Sequence, residues 1–195
     1  MLKWITNFTY KIEHQAAKAG TVYQLASLYY RDIIHKEATL ANITDKDHVL
    51  CIGGGICPFS AILFHQITGA KVTVVDNNTA CISKARQAIA RLGVKDYVRV
   101  FCQDGSCFDG DLREYSVIHF ALQVTPLDYV FSKIEKQANP GTRLLVRRPK
   151  KSVGGLYNQF CNRVLNESPY TVHKSRNIGS TLLHIKPREP LAHIA

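Results

Sequence analysis

Residues 49–76 read VLCIGGGICPFSAILFHQITGAKVTVVD: an apolar strand, a triple glycine, an uncharged helix, and a second β-branched strand closed by an aspartate. No other stretch constrains the fold so tightly. Two strands separated by a helix of this length pair in parallel through a right-handed crossover. The same unit is a nucleotide grip, because glycines let backbone N–H groups and a helix N-terminus approach a ligand while an acid about 20 residues on reaches ribose hydroxyls. A dinucleotide fingerprint places a third glycine inside the helix start. Here Gly53-x-Gly55 is followed by Pro58, which suits a first helical turn. That departure shifts the expected ligand from NAD to S-adenosylmethionine, which has no pyrophosphate to cradle.

Residues 49–70 carry no Lys, Arg, Asp or Glu and are long enough to span a bilayer. Three glycines, Pro58, His65 and Gln66 inside the stretch favour strand, turn and helix instead, so no membrane role is expected. The first twenty residues lack a signal peptide's continuous apolar centre, and a cytoplasmic location follows. Six cysteines form no C-x-x-C pair, which predicts buried thiols in a reducing compartment and no metal site. With 195 residues, 46% of them hydrophobic, the chain is expected to build one core.

Along the chain, residues 2–41 are expected to be helical, with Val22, Leu25, Ala26, Tyr29, Ile33 and Leu40 as the apolar stripe. The polar run 42–47 then precedes an alternation: strands at 48–52, 71–75, 97–102, 115–121 and 142–148, helices at 58–69, 78–92, 126–138 and 153–166. This predicts a parallel sheet. Residues 170–177 and 180–187 read as a closing antiparallel hairpin turning at Ile178-Gly179. The expected organisation is a helical segment, 1–44, that serves as lid or dimer element, followed by a transferase domain, 45–195.

Over residues 45–187 this pattern resembles the class I S-adenosylmethionine-dependent transferases: an α/β, Rossmann-like fold with a seven-stranded, mostly parallel sheet and a C-terminal antiparallel hairpin. The resemblance implies cofactor binding by Gly53, Gly54, Gly55, Asp76, Asn77, Asp104, Gly105 and Ala121. Many members carry an acid two residues before the first glycine, where this chain has Cys51. Three segments, IGGGICPFSAILF, YYRDIIHKEATL and RLLVRRPKKSVGGLY, further resemble the nicotianamine synthases. Those enzymes transfer the cofactor's 3-amino-3-carboxypropyl arm to an amine, which implies a small-molecule amine or amino acid as acceptor. They also have a longer helical N-terminal domain than this chain.

Displacement beside a sulfonium needs alignment, and an ammonium nucleophile must lose a proton. Tyr23, Tyr30 and Glu37 stand seven residues apart on one helical face, and the resemblance places a Tyr and a Glu at the acceptor site. Tyr30 is expected to orient the acceptor and Glu37 to act as base. The bland alternative pairs Glu37 with Arg31 or Lys36 on a solvated surface. Arg147 and Tyr157 are the candidate substrate ligands, and His119 reads as a core histidine. Between residues 143 and 188, ten Lys or Arg face the single acid Glu167, so an anionic partner such as RNA is also expected. Methyl transfer to a small molecule or RNA, and a cofactor-binding subunit without turnover, are the competing functions. Homodimerisation through the helical segment would complete a lid.

Overall fold

The structure, a computed structural model, describes residues 20–156 and 168–188. Strands β1 (His48–Ile52), β2 (Lys71–Asp76), β3 (Val98–Cys102), β4 (Val117–Phe120), β5 (Arg143–Pro149), β6 (Tyr170–Val172) and β7 (Ile178–Ile185) form one sheet. Its order is β3-β2-β1-β4-β5-β7-β6. The first five strands pair in parallel, and β7 inserts antiparallel between β5 and β6. The order reverses at β1 and β4, which opens a crevice at the carboxyl ends of those strands.

Helices α1 (Gly20–Leu40), α2 (Phe59–Thr68) and α3 (Thr79–Arg91) cover one face, where Ile34, Ala38, Ile62, Leu63, Phe64, Ala85 and Ile89 meet Val49, Val72, Val74 and Leu145. Helix α4 (Leu127–Gln137) covers the other, packing Val130, Phe131 and Ile134 on Leu50, Ile118, Phe120 and Val146. Burying the fully enclosed Ile62, Leu63 and Phe64 contributes about 1.5–3 kcal/mol each. Double coverage explains why the inner strands are continuous apolar runs.

Helix α1 belongs to this core. Arg143 fixes its end, donating from Nη1 to the carbonyls of Ala41 (2.7 Å) and Asn42 (2.9 Å) while its Nη2 pairs with Asp47. Asp47 in turn accepts from Ser116 Oγ at 2.6 Å. These contacts satisfy carbonyls that a helix end leaves open.

Two expectations are corrected. The buried face of α1 is Ile33, Ile34, Glu37, Ala38 and Ala41, while Tyr29 is 43% exposed. An apolar-only stripe is displaced because a charged residue occupies the centre of the true face. The hairpin turns at 173–177, where Ser175 Oγ donates to the Ile178 carbonyl (2.8 Å) and accepts from the Ile178 N–H (2.9 Å). Gly179 lies within β7: a Cβ there would stand 3.0 Å from the Pro149 carbonyl oxygen, beside the register shift between Arg148 and Pro149. Its role is close backbone approach at a bulge. Of the helix expected at 153–166, a 3-10 segment at Lys151–Leu156 is described and the rest lies outside the described residues.

Candidate functional site

The crevice is built from the loop leaving β1. Gly53 and Gly55 adopt φ of +86° and +64°, values an L side chain resists. Gly54 is fixed by packing, since a Cβ would lie 2.3 Å from Val74 Cγ1. The loop turns back onto Asp76: Oδ2 accepts the N–H groups of Gly54 (2.9 Å) and Gly55 (2.7 Å), and Oδ1 accepts that of Asn78 (2.9 Å). Asn78, not Asp76, caps α3, accepting from the Ala80 N–H at 3.1 Å. The structural task of Asp76 is therefore to hold the glycine loop. In a phosphate cradle these two N–H groups would point at the ligand. Here a carboxylate engages them, so these two N–H groups are not turned toward a pyrophosphate.

The neighbouring loops close around it. Asp104, after β3, accepts from the Ser106 N–H at 2.7 Å and starts the 3-10 turn Gly105–Cys107. That bond, together with one from the Asn77 side chain, lowers the Asp104 pKa and keeps it ionised. A Cβ on Gly105 would lie 2.5 Å from Ile52 Cγ2, and one on Gly53 would lie 3.2 Å from Ala121 Cβ. Gly53, Gly54, Gly55, Asp76, Asn77, Asp104, Gly105 and Ala121 thus converge at the carboxyl ends of β1 to β4. With a half-buried carboxylate at Asp76, an ionised one at Asp104 and, among the described residues, no lysine hydrogen-bonded to either, these acceptors suit hydroxyls, an amine and a cationic sulfonium.

Beside this crevice, beneath α1, lies a buried polar cluster. Glu37 is 0% exposed and Arg147 4%. Arg147 donates to both carboxylate oxygens, Nε to Oε1 at 2.7 Å and Nη2 to Oε2 at 2.8 Å, a bidentate, charge-assisted pair. Thr181 Oγ1 adds a third bond to Oε1 at 2.6 Å. Because that hydroxyl donates to Glu37, His173 must donate to it from Nε2, 2.8 Å away. His119 Nε2 stands 3.5 Å from Glu37 Oε2, and neither of its ring nitrogens has a hydrogen-bond partner.

Burial alone would raise the Glu37 pKa, but the charge and hydrogen bonds of Arg147 outweigh it and hold the carboxyl well below its usual range. His119 is pushed down by burial and by Arg147, so it is neutral. Burial raises the Cys51 thiol to about 12 and keeps it protonated.

Lys36 pairs with Asp32 at 2.9 Å, so the solvated pairing of Glu37 is excluded. The sequence also gave no warning of Thr181 and His173, which reach Glu37 from a hairpin more than 130 residues away. Tyr30 stacks on Phe59 with ring centroids 5.4 Å apart, and its position makes it an electrostatic neighbour of Arg147. Tyr157 and the Tyr23 side chain lie outside the described residues. Among the described residues no group of His, Cys, Asp and Glu is arranged to hold a metal, and no helix is long and apolar enough to cross a membrane.

No protein-family model matches the sequence, and no curated protein matches it significantly. Solved structures do. MtNAS, a nicotianamine synthase, superposes as a glutamate-to-glutamine mutant in complex with S-adenosylmethionine with a TM-score of 0.78 and 25% identity, over 95% of this chain and 76% of that one. MtNAS in complex with MTA and tNA matches with the same score and identity, over 95% and 74%. An RNA methyltransferase from Salinibacter ruber in complex with S-adenosyl-L-homocysteine matches at 0.64 and 17% identity, over 84% and 96%. The sheet order, the reversal at β1 and β4 and these superpositions agree: the chain has the class I S-adenosylmethionine-dependent transferase fold and resembles, among its members, nicotianamine synthase.

Proposed function

We propose that this protein is an S-adenosylmethionine-dependent transferase that moves the 3-amino-3-carboxypropyl group onto an amine of a small molecule. The observation that supports this most is the extent of the likeness to MtNAS, 95% of the chain, against 84% for the RNA methyltransferase and 60% for coclaurine N-methyltransferase. When bound, the cofactor supplies an electrophilic carbon beside a sulfonium.

The chain's own residues then have separate tasks. Asp76 would accept a ribose hydroxyl on the acceptor capacity left by its three backbone partners, and Asp104 would accept from the adenine amine. Arg147 engages Glu37 through Nε and one N–H of Nη2, leaving three of a guanidinium's N–H groups for an acceptor carboxylate. In this reading Glu37 is a positioning residue. A carboxylate held ionised by a bidentate guanidinium takes up protons poorly, so the role of base moves away from Glu37. His119, 3.5 Å from Glu37, is kept neutral by burial and by Arg147, which disfavour its protonation as well. Tyr30, stacked on Phe59 at the start of α2, would line the acceptor side.

The test is product analysis. Incubated with S-adenosylmethionine and a panel of amino acids and polyamines, the protein should yield methylthioadenosine. S-adenosylhomocysteine as sole nucleoside product would replace this reading with methyl transfer, and cofactor binding without any product would replace it with a non-catalytic subunit.

A further inference from the structure

The proposed chemistry leaves the basic last quarter of the chain unexplained. The fold sorts those cations into two groups. Arg143 is committed to Asp47 and the end of α1, Arg147 to Glu37, and Lys186 to Glu135 at 3.4 Å. Lys151, Lys174 and Arg176 are exposed and Lys150 is half-buried. Among the described residues no carboxylate lies within ion-pair distance of Lys150, Lys151 or Lys174.

Their two loops are neighbours. The Lys150 N–H donates to the Asn177 carbonyl at 2.9 Å, and Pro149 is in register with Ile178. The cations therefore share the carboxyl end of β5, the end that carries Arg147. The Arg176 N–H donates to the Tyr29 hydroxyl at 2.7 Å, which places an aromatic ring against the same loops. Tyr29 is 43% exposed and sits edge-on to Tyr30, which stacks on Phe59 directly after the glycine loop. A row of rings thus runs from the cationic surface toward the cofactor crevice.

We propose that the loops carrying Lys150, Lys151 and Lys174, together with Tyr29, form a docking surface for single-stranded nucleic acid. Single positive charges on two adjacent loops suit a phosphate backbone, and the exposed ring offers a stacking platform that tolerates any base. A small anion is better served by a buried cation such as Arg147, whereas Lys151 and Lys174 stand exposed. The surface stands whether the transferred arm is methyl or aminocarboxypropyl.

The experiment is fluorescence anisotropy of the full-length protein with a labelled oligouridine of about 20 nucleotides, long enough to span one single-strand site. If Lys150, Lys151 and Lys174 each neutralise a phosphate, a slope near −0.7 per contact makes affinity fall roughly 20-fold between about 0.05 and 0.2 M salt. The triple variant K150Q/K151Q/K174Q should bind more weakly and lose most of the salt dependence. The control variant R91Q/K95Q/R99Q removes three cations near the opposite sheet edge, at β3, and should bind as the wild type does. Tyr29→Leu should weaken binding about 5- to 100-fold, with the salt slope unchanged. Wild-type protein that ignores the oligonucleotide at low salt would overturn the proposal, as would a control variant losing as much affinity as the triple variant. Displacement of the oligonucleotide by phosphatidylserine vesicles at equal charge would also overturn it, by identifying a membrane-facing surface instead.

Discussion

Replacing Arg147 by methionine keeps most of the side-chain volume and leaves the Glu37 carboxylate with the Thr181 hydroxyl as its remaining close donor. Breaking one partner of a buried, bidentate pair costs about 3–5 kcal/mol, because the survivor stays desolvated. Glu37→Gln should cost a similar amount, since the guanidinium is then the unpaired charge. Glu37→Met combined with Arg147→Met removes both charges and should lie within about 1–2 kcal/mol of the wild type. Urea denaturation of the four proteins closes a double-mutant cycle, provided the m-values agree. The pH dependence adds a change of sign. In the wild type the Glu37 pKa is lowered, so its contribution is complete above the ordinary carboxylate value of 4.5 and is lost as pH falls below it. In Arg147→Met burial acts without the opposing cation and raises that pKa. Its contribution is then complete below 4.5 and lost as pH rises. The variant should accordingly gain stability, relative to wild type, on acidification from pH 7 toward 4.5. A cost below about 1 kcal/mol for Arg147→Met, the value of a solvated pair, would refute the buried geometry, and an unchanged pH slope would refute the electrostatic argument.

Asp76→Ala removes the acceptor of three backbone N–H groups, so affinity for S-adenosylmethionine should fall by roughly 10- to 100-fold for one or two lost charge-assisted bonds; calorimetry giving an unchanged Kd would remove the assigned cofactor site. Gly54→Ala should destabilise by about 1–3 kcal/mol through its clash with Val74, and Val74→Ala in the same chain should restore part of that loss in thermal melts. His119→Phe should flatten part of the stability decline below pH 6.5. The lowered pKa of this histidine means that the unfolded chain takes up the proton first and stability falls with pH; a slope identical to wild type would show that the ring is solvated. Arg143→Ala should cost about 2–4 kcal/mol by uncapping α1 and removing the cation paired with Asp47, read by urea denaturation at pH 7.

The sheet and the cofactor crevice were legible because their signals are local. Alternating apolar runs, the triple glycine and an aspartate closing the second strand lie within single βαβ units, and chain connectivity leaves one handedness and one crevice for them. The buried polar cluster beneath α1 carries no such signal. Glu37 and Arg147 are 110 residues apart, and Thr181 is 144 from Glu37, so a charged residue on the true buried face of α1 reads as solvent-facing until β5 and β7 are folded beneath it. Gly179 misleads for a similar reason: turn and bulge ask the same freedom of a glycine, and the position of the Pro149 carbonyl decides between them. By itself the sequence determined an S-adenosylmethionine-type grip in a doubly covered parallel sheet. Only the tertiary structure decided what faces that grip: a carboxylate and a guanidinium desolvated together, with a neutral histidine beside them. The pairing holds Glu37 and Arg147 charged against burial, while burial and Arg147 keep His119 neutral, and both are properties of the assembled fold.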